Sequence, residues 1–315
     1  MDPFVFVVGK GRSGTTLVRA MLTSHPDMAI PPETHFIVPL GKDPDVVRSQ
    51  IVDVDAFLSR LSAHPGWPGM HVKEATAESV LRANGPLDYP DAIRSVFRLH
   101  AEEQGKTRFG DKTPGHVLHM ETLASWFPES VFIHVIRDGR NVLLSNLETS
   151  FGPADVVEGA TVWKRLVRTG RLAGQVLGRE RYCEVRYEDL LENTEAEVRR
   201  LSAFAGLQFT ESMLRYFERA DQLGVGATHH GNLRLPPTKG LRDWRDQMNS
   251  RQLAVFESLA GDVLEELGYE LGAPRMRARD KAYLGATWLS FQGRRMKWHV
   301  RRGAQRVGVG TRPTG

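Results

Sequence analysis

Cysteine is nearly absent from this chain, since Cys183 is the only one among 315 residues. A single thiol cannot form an intrachain disulfide or build a cysteine-based metal site, and its scarcity fits a reducing compartment. Long apolar runs are lacking too, because no window approaches the roughly 18 apolar residues of a membrane span. The apolar run Phe4–Val8 leads directly into a loop and does not fit a signal peptide. The expected location is the cytoplasm.

Acidic residues are scarce in one region, the C-terminal tail. From residue 275 onward, eleven lysines and arginines stand against one acidic residue, Asp280, which gives the tail a formal charge of +10. Because the whole chain carries +4, residues 1–274 carry −6. A mildly acidic body does not favour nucleic-acid binding, so we expect no nucleic-acid partner. We expect one domain over 1–274 and a basic C-terminal helix or tail over 275–315.

The apolar pattern predicts an α/β fold. Buried-strand runs alternate with stretches of helical periodicity, which is typical of a mostly parallel sheet covered by helices. Ligands of such sheets bind at the carboxyl ends of the strands. Residues 41–105 have few strand signals, and we predict a helical insertion over the site there. The predicted strands are Phe4–Val8, Arg108–Gly110, Val131–Ile136 and Tyr182–Arg186, and the predicted helices are Thr15–Leu22, Asp91–Gln104, His116–Trp126, Arg140–Leu147, Val156–Leu177 and Glu195–Ala205.

The first strand runs into a glycine-rich loop, Gly9–Gly14, within the stretch FVFVVGKGRSGTTLVRAML. Its glycines permit the close backbone approach that an oxyanion needs, and a helix beginning at Thr15 offers free N–H groups and a favourable dipole. Arg12 can grip two oxygens at once. Nucleoside-triphosphate loops have a lysine after the last glycine, but Thr15 occupies that position here. The loop therefore predicts an anion site of a different kind.

A second motif, VFIHVIRDGRNVLLS, ends a strand at Arg137 and places Ser145 eight residues further on, inside the following helix. We expect Arg137 and Ser145 to converge on a second phosphate. Asp138 offers an alternative, because an aspartate after an apolar strand holds magnesium in P-loop kinases that use ATP. The flanking Arg137 and Arg140 argue against that alternative, since they would repel a bound cation.

These motifs resemble a known family. Gly9–Leu17 is similar to the 5′-phosphosulfate loop of sulfotransferases that use 3′-phosphoadenosine 5′-phosphosulfate (PAPS), and Arg137–Ser145 resembles their 3′-phosphate motif. Val185–Leu190 is similar to the segment bordering the adenine. Gly110–Pro114 resembles the lysine-containing segment of the branch with tyrosylprotein and many bacterial sulfotransferases. The resemblance implies a three-layer P-loop sulfotransferase fold, PAPS as co-substrate, no metal, and in-line sulfuryl transfer to a hydroxyl.

The resemblance also implies roles for individual residues. Glu33 falls where the tyrosylprotein branch keeps a catalytic glutamate, and His35 is the alternative base because its intrinsic pKa lies nearer neutrality. Lys112 would neutralise charge on the leaving phosphate or the sulfuryl oxygens, with Arg12 beside it. The predicted PAPS-binding residues are Gly11, Arg12, Ser13, Gly14, Thr15 and Thr16 for the 5′-phosphosulfate, Arg137 and Ser145 for the 3′-phosphate, Tyr187 against the adenine, and Lys239, Gly240 and Arg242 from a late segment that partly matches the family's.

The acceptor and the role of the tail stay open at this point. We expect the acceptor to be a small molecule, a glycan or a glycolipid, while a catalytically silent nucleotide-binding protein is the alternative to any enzyme. A helix over Ala282–Val300 would align Leu284, Trp288 and Phe291 among basic residues. That pattern fits membrane-surface contact and a peripheral location. Because Arg295 and Arg302 interrupt the same stripe, a packed or solvated basic helix is the preferred interpretation.

Overall fold

The computed structural model describes residues 2–149, 152–219, 231–237, 243–272 and 276–306. The chain divides into two compact units, of which the first joins Met1–Arg137 to Leu166–Leu241. The second joins Asp138–Arg165 to Arg242–Gly315. The separate tail predicted from residue 275 onward stays a prediction.

The first unit is built around a parallel sheet. In the described part of the chain the strands are β1 (Val5–Gly9), β2 (Met28–Ala29), β3 (Val47–Arg48), β4 (Ile51–Val52), β5 (Arg108–Lys112), β6 (Val131–Ile136) and β7 (Tyr182–Arg186). The sheet has the order β2-β5-β1-β6-β7, and each adjacent pair in it is parallel. Strands β3 and β4 form a separate antiparallel pair.

The central strands β1 and β6 form because their residues are continuously apolar. Both strands are buried along their whole length, as expected for parallel strands that are covered on both faces. The register pairs Val7 with Lys112 and Gly9 with Val135. Since parallel strands end at the same edge of a sheet, the loop after Gly9, the Lys112 side chain and Arg137 after β6 come to one edge.

Helices supply the other layers. Helix α1 contributes Val18 and Met21 to a buried core that also contains Val7, Ile133 and Leu201. The described helices are α1 (Thr15–Thr23), α2 (Ile37–Gly41), α3 (Val54–Ser62), α4 (Glu74–Ala83), α5 (Tyr89–Glu102), α6 (Met120–Trp126), α7 (Gly139–Leu147), α8 (Val156–Leu177), α9 (Tyr187–Glu192), α10 (Thr194–Phe204), α11 (Trp244–Gln247), α12 (Ser250–Glu266) and α13 (Ala278–Arg306).

The predicted α/β fold with a mostly parallel sheet is confirmed. Strands β6 and β7 and helix α8 begin and end at the predicted residues. The prediction of a single helix over His116–Trp126 is wrong. Pro114–Leu118 forms a 3₁₀ helix, and His119, which has a non-helical φ of −131°, separates it from α6. Residues 41–105 contain α3, α4 and α5, as the predicted helical insertion requires, together with β3 and β4. The two-residue strands β2, β3 and β4 are too short to show a periodicity, so the sequence pattern does not predict them.

The second unit contains a buried ion network. The Arg140 side chain is 1% exposed and pairs with two carboxylates, lying 2.7 Å from Asp138 through Nη2 and donating from Nη1 to Glu257. Its guanidinium lies 3.7 Å from the centre of the Trp244 ring. A buried charge is tolerated only when it is paired and hydrogen-bonded, and these contacts satisfy both conditions. Trp244 is therefore a packing residue of this unit.

Helix α13 belongs to the second unit. It includes the helix predicted over Ala282–Val300, and within the predicted apolar stripe Phe291 is buried whereas Trp288 is 37% exposed. Arg294 of this helix lies 2.7 Å from Asp155 and 3.2 Å from Glu158. These contacts fit the packed basic helix. Among the described residues, no helix has the length and apolar content of a membrane span.

We predict that Glu257→Gln lowers the free energy of unfolding by about 1–3 kcal/mol, because Arg140 loses one of its two buried counter-charges. Urea denaturation measures the change. Glu265→Gln, at an exposed position of the same helix, is the matched control and should change stability by less than about 0.5 kcal/mol. Equal stability of the two variants would show that the Glu257 contact does not hold the unit together.

Candidate active site

At two positions, the loop after β1 has a backbone conformation that only glycine adopts easily. Gly9 has φ +150° and Gly14 has φ +101°, both in the region that side chains disfavour. A Cβ at Gly9 would lie 2.5 Å from the Val135 carbonyl oxygen, and one at Gly14 would lie 2.4 Å from the Tyr187 ring. Arg12 also has a positive φ of 74°. The backbone here is held tightly between β6 and Tyr187.

Helix α1 starts directly from this loop with its amino end uncapped by side chains. Gly14 is the N-cap residue and provides no side-chain hydrogen bond, and the first turn contains no acidic residue. The first N–H groups of a helix have no partner inside the helix, and together with the dipole they favour an anion. Burial and the neighbouring guanidinium of Arg12 lower the pKa of Lys10. The crowding of positive charge at this loop indicates an anion site.

Arg137 stands against the loop from the end of β6. Its Nη1 donates to the Arg12 carbonyl oxygen at 3.4 Å, and its guanidinium lies 4.4 Å from the centre of the Tyr187 ring. The residue is 9% exposed. Arg137 and Tyr187 are thus adjacent to the predicted anion loop, and a phosphate that meets this guanidinium would also lie close to the Tyr187 ring.

Glu33, Lys112 and His35 form a connected cluster. Lys112 Nζ lies 2.8 Å from Glu33 Oε1 and 3.3 Å from Thr16 Oγ1 at the start of α1. His35 Nε2 lies 3.0 Å from Glu33 Oε2. The Lys112 side chain is 4% exposed, whereas that of Glu33 is 37% exposed and that of His35 is 56% exposed. The cluster therefore joins the anion loop through Lys112 and faces solvent through the other two residues.

The electrostatics of this cluster follow from its contacts. Burial alone would raise the pKa of Glu33, but the hydrogen bond with His35 and the ammonium of Lys112 outweigh it and lower this pKa to about 2. Burial lowers the pKa of Lys112, and the charge of Glu33 opposes that effect. The hydrogen bond to Glu33 raises the pKa of His35. Glu33 is therefore a carboxylate at neutral pH, and it lies between the Lys112 ammonium and the His35 ring.

A set of buried polar residues behind the cluster was not predicted from the sequence. Asp111 accepts hydrogen bonds from Thr34 at 2.7 Å and from Thr113 at 3.2 Å, and its second oxygen lies 3.0 Å from His116 Nδ1. Arg19 of α1 donates from Nε to the Ile30 carbonyl oxygen at 2.8 Å. One sequence signal was available for Asp111, since it directly precedes Lys112 in the GDKTP segment.

Family membership is decided by sequence comparison. A model described as the Sulfotransferase family matches residues 3–211, a range that contains the loop, Glu33, Lys112, Arg137 and Tyr187. The chain belongs to the sulfotransferase family. It is thus a sulfotransferase enzyme, as the motifs predict, and a P-loop kinase is excluded as its enzyme class.

Curated relatives of this sulfotransferase are distant. It is 27% identical over 84% of its length to the nodulation protein NoeE of Sinorhizobium fredii, and 26% identical over 68% to protein-tyrosine sulfotransferase A of Caenorhabditis elegans. It is 24% identical over 87% to the omega-hydroxy-beta-dihydromenaquinone-9 sulfotransferase Stf3 of Mycobacterium bovis. The matches span 65%, 53% and 77% of those proteins, respectively.

Solved structures agree on the fold. A sulfotransferase domain from the Synechococcus PCC 7002 olefin synthase has a TM-score of 0.64 at 20% identity, covering 86% of this chain and 96% of that domain. A sulfotransferase domain from the curacin biosynthetic pathway has a TM-score of 0.60 at 20% identity, with 86% and 99% covered. These similarities confirm the predicted sulfotransferase fold.

Four predicted PAPS-binding residues of the sulfotransferase stay predictions. Ser145 is buried in α7, which belongs to the second unit, so its convergence with Arg137 stays a prediction. Lys239, Gly240 and Arg242 lie outside the described residues. Among the residues that are described, no group of three or more histidine, cysteine or acidic side chains is arranged to hold a metal ion. Asp138, the candidate magnesium ligand, caps α7, because its carboxylate accepts a hydrogen bond from the Arg140 backbone N–H at 2.9 Å.

We predict that Gly14→Ala lowers the free energy of unfolding by about 1–3 kcal/mol, because the new methyl group meets the Tyr187 ring at a strained φ. Gly11→Ala is the matched control in the same loop, since a Cβ there meets nothing within 4 Å. Thermal and urea unfolding of both variants measure the effect. A Gly14 variant as stable as the Gly11 variant would contradict the tight packing of the loop against Tyr187.

Proposed function

We propose that this sulfotransferase moves the sulfuryl group of PAPS to a hydroxyl of a small molecule, a glycan or a glycolipid. The observation that carries the proposal is the position of Lys112, whose ammonium lies 2.8 Å from Glu33 and 3.3 Å from Thr16 of the anion loop. A candidate base, a buried cation and an anion cradle therefore meet at one edge of the sheet. In-line group transfer requires these three components together.

The donor is PAPS, as family membership implies. Gly11, Arg12, Ser13 and the residues Gly14–Thr16 that start α1 would hold the 5′-phosphosulfate through backbone N–H groups and the Arg12 guanidinium. The uncapped start of α1 and the absence of acidic residues in its first turn fit that anion. Arg137 would bind the 3′-phosphate together with Ser145, and Tyr187, which is already stacked under Arg137, would border the adenine.

The proposed reaction transfers one group and one proton. Glu33 takes the proton of the acceptor hydroxyl while the hydroxyl oxygen forms a bond to sulfur. The bond between sulfur and the 5′-phosphate oxygen breaks on the opposite side, and its electron pair leaves with 3′-phosphoadenosine 5′-phosphate (PAP). Lys112 stabilises the charge that develops on the sulfuryl and phosphate oxygens.

The low pKa of Glu33 needs an explanation, because a base is most effective when its pKa lies near the operating pH. Glu33 and the phosphosulfate are both anionic, and both would bind the Lys112 ammonium. We propose that Lys112 turns its charge toward the sulfuryl group when PAPS binds. The anionic donor and the weaker Lys112 contact then both raise the pKa of Glu33. Glu33 is preferred to His35 because it alone contacts Lys112 directly.

Among small molecules, glycans and glycolipids, the acceptor is specified only as a compound that carries a hydroxyl. The named relatives include one protein-tyrosine sulfotransferase and one menaquinone sulfotransferase, whose acceptors share the hydroxyl and little else. The partial exposure of Glu33 and His35 leaves the base accessible to an acceptor from solvent. Peripheral membrane contact through α13 stays a prediction, supported by exposed Leu289 and Met296 and by the basic charge of the tail.

A screen of cell extract with labelled PAPS tests the function. We expect a labelled metabolite heavier by about 80 Da, the mass of one SO₃ group. Glu33→Gln should lower its formation by about 10²–10⁴-fold, while PAP affinity measured by calorimetry stays near that of the wild type. Full activity of Glu33→Gln would move the role of base to His35. PAP binding without any labelled product would favour the silent nucleotide-binding alternative.

We predict that Arg137→Ala weakens PAP binding by roughly 1.5–3 kcal/mol, the range for a charge-assisted hydrogen bond. This corresponds to about ten- to a hundred-fold in dissociation constant by calorimetry. Arg179→Ala is the control, since Arg179 is exposed in the turn after α8 and should leave the constant unchanged. An unchanged constant for Arg137→Ala would remove Arg137 from the nucleotide site.

A further inference from the structure

We infer that Asp111 and Thr34 are positioning residues: the buried Asp111 carboxylate binds Thr34 and thereby holds Glu33 against Lys112. The inference rests on the proposed function, in which Glu33 is the base. We call the group Thr34, Asp111, Thr113 and His116 the clamp. None of its side chains is proposed to touch substrate.

The clamp joins two segments that are distant in sequence. Thr34 Oγ1 donates to Asp111 Oδ1 at 2.7 Å, and the Thr34 backbone N–H donates to Thr113 Oγ1 at 3.2 Å. Thr113 in turn donates to the same Asp111 oxygen at 3.2 Å. Thr34 and Asp111 are fully buried, and Thr113 is 1% exposed. Both the side chain and the backbone of Thr34 are therefore tied to the end of β5.

Along both segments, clamp residues alternate with residues of the Glu33, His35 and Lys112 cluster. Asp111 and Lys112 are consecutive residues of β5, so their side chains lie on opposite faces of the strand. On the other segment Glu33 and His35 bond to each other, while Thr34 between them bonds to Asp111. The two segments are thus joined twice, by Thr34 with Asp111 on one side and by Glu33 with Lys112 on the other. A displacement of the Thr34–Asp111 contact therefore also displaces the Glu33–Lys112 contact.

The second oxygen of Asp111 explains why the carboxylate is stable in this place. His116 Nδ1 lies 3.0 Å from Asp111 Oδ2, and the His116 side chain is itself 4% exposed. A buried carboxylate is costly unless hydrogen bonds satisfy its oxygens, and here each oxygen has at least one partner. Replacing a buried ionic group by apolar residues of similar volume is often neutral or stabilising, so packing alone does not require a carboxylate here. The clamp therefore fits a positioning role better than a packing role.

Thr34→Val tests the inference, because it keeps the shape of the side chain and removes the hydroxyl that bonds to Asp111. Thr34→Ser is the matched control, since it keeps that hydroxyl. The Glu33 carboxyl is followed by NMR of protein labelled with ¹³C in the glutamate side chains, and its signal is assigned by its loss in Glu33→Gln. This measurement requires neither an acceptor nor turnover.

We expect Thr34→Val to loosen Glu33 from Lys112, so that the carboxyl loses the nearby positive charge. Its titration midpoint should then rise from about 2 toward the ordinary value of about 4.3. Thr34→Ser should titrate as the wild type does. PAP binding, measured by calorimetry, should change less than about two-fold in both variants, because neither touches the loop or Arg137.

A Glu33 midpoint that is the same in Thr34→Val and in the wild type would overturn the inference, even if the variant were less stable. If Thr34→Val does not fold, Thr113→Val removes the other hydroxyl of the clamp and is read in the same way. The two proposals fail separately. Full sulfation activity of Glu33→Gln contradicts the proposed base, whereas the NMR titration decides the clamp whatever the reaction is.

Discussion

The structure depends on one constraint, which is that parallel strands end at the same edge of a sheet. Strands β1 and β5 are in register so that Lys112 pairs with Val7, two residues before the anion loop begins. That register brings the Lys112 ammonium within 3.3 Å of Thr16. The Glu33 carboxylate then binds the same ammonium. The strand register thus places Lys112 where it contacts both the start of α1 and Glu33.

This arrangement explains why no lysine follows Gly14, the last glycine of the loop. In a nucleoside-triphosphate loop the lysine comes from the loop itself, next to a hydroxyl residue. Here Thr15 takes that position, and the ammonium that contacts Thr16 at the start of α1 comes from Lys112 of β5. Because it arrives from a neighbouring strand, Lys112 can also contact Glu33 on another segment. Lys112 thus links the start of α1 to Glu33, the proposed base.

Two arginines near the end of β6 illustrate different uses of the same side chain. Arg140 is enclosed by Asp138 and Glu257, which neutralise it inside the second unit. Arg137, three residues earlier, lies over the Tyr187 ring and beside the backbone of Arg12. The carboxylate pairs make the burial of Arg140 tolerable. Arg137 adjoins the loop, and its binding of the 3′-phosphate stays a prediction.

The main strands of the sheet, the loop and the family are evident in the sequence, because continuous apolar strands and the glycine spacing around Gly9 and Gly14 are local signals. Its motifs also led to the prediction of Glu33, Lys112 and Arg137 as site residues, and the structure brings Lys112 into contact with Glu33. The sequence did not predict that Thr34 and Asp111 would bond, since they lie 77 residues apart and neither has a local pattern that names its partner. The burial of Phe291 was likewise decided by the tertiary structure, because an amphipathic helix shows an apolar face but not what that face contacts.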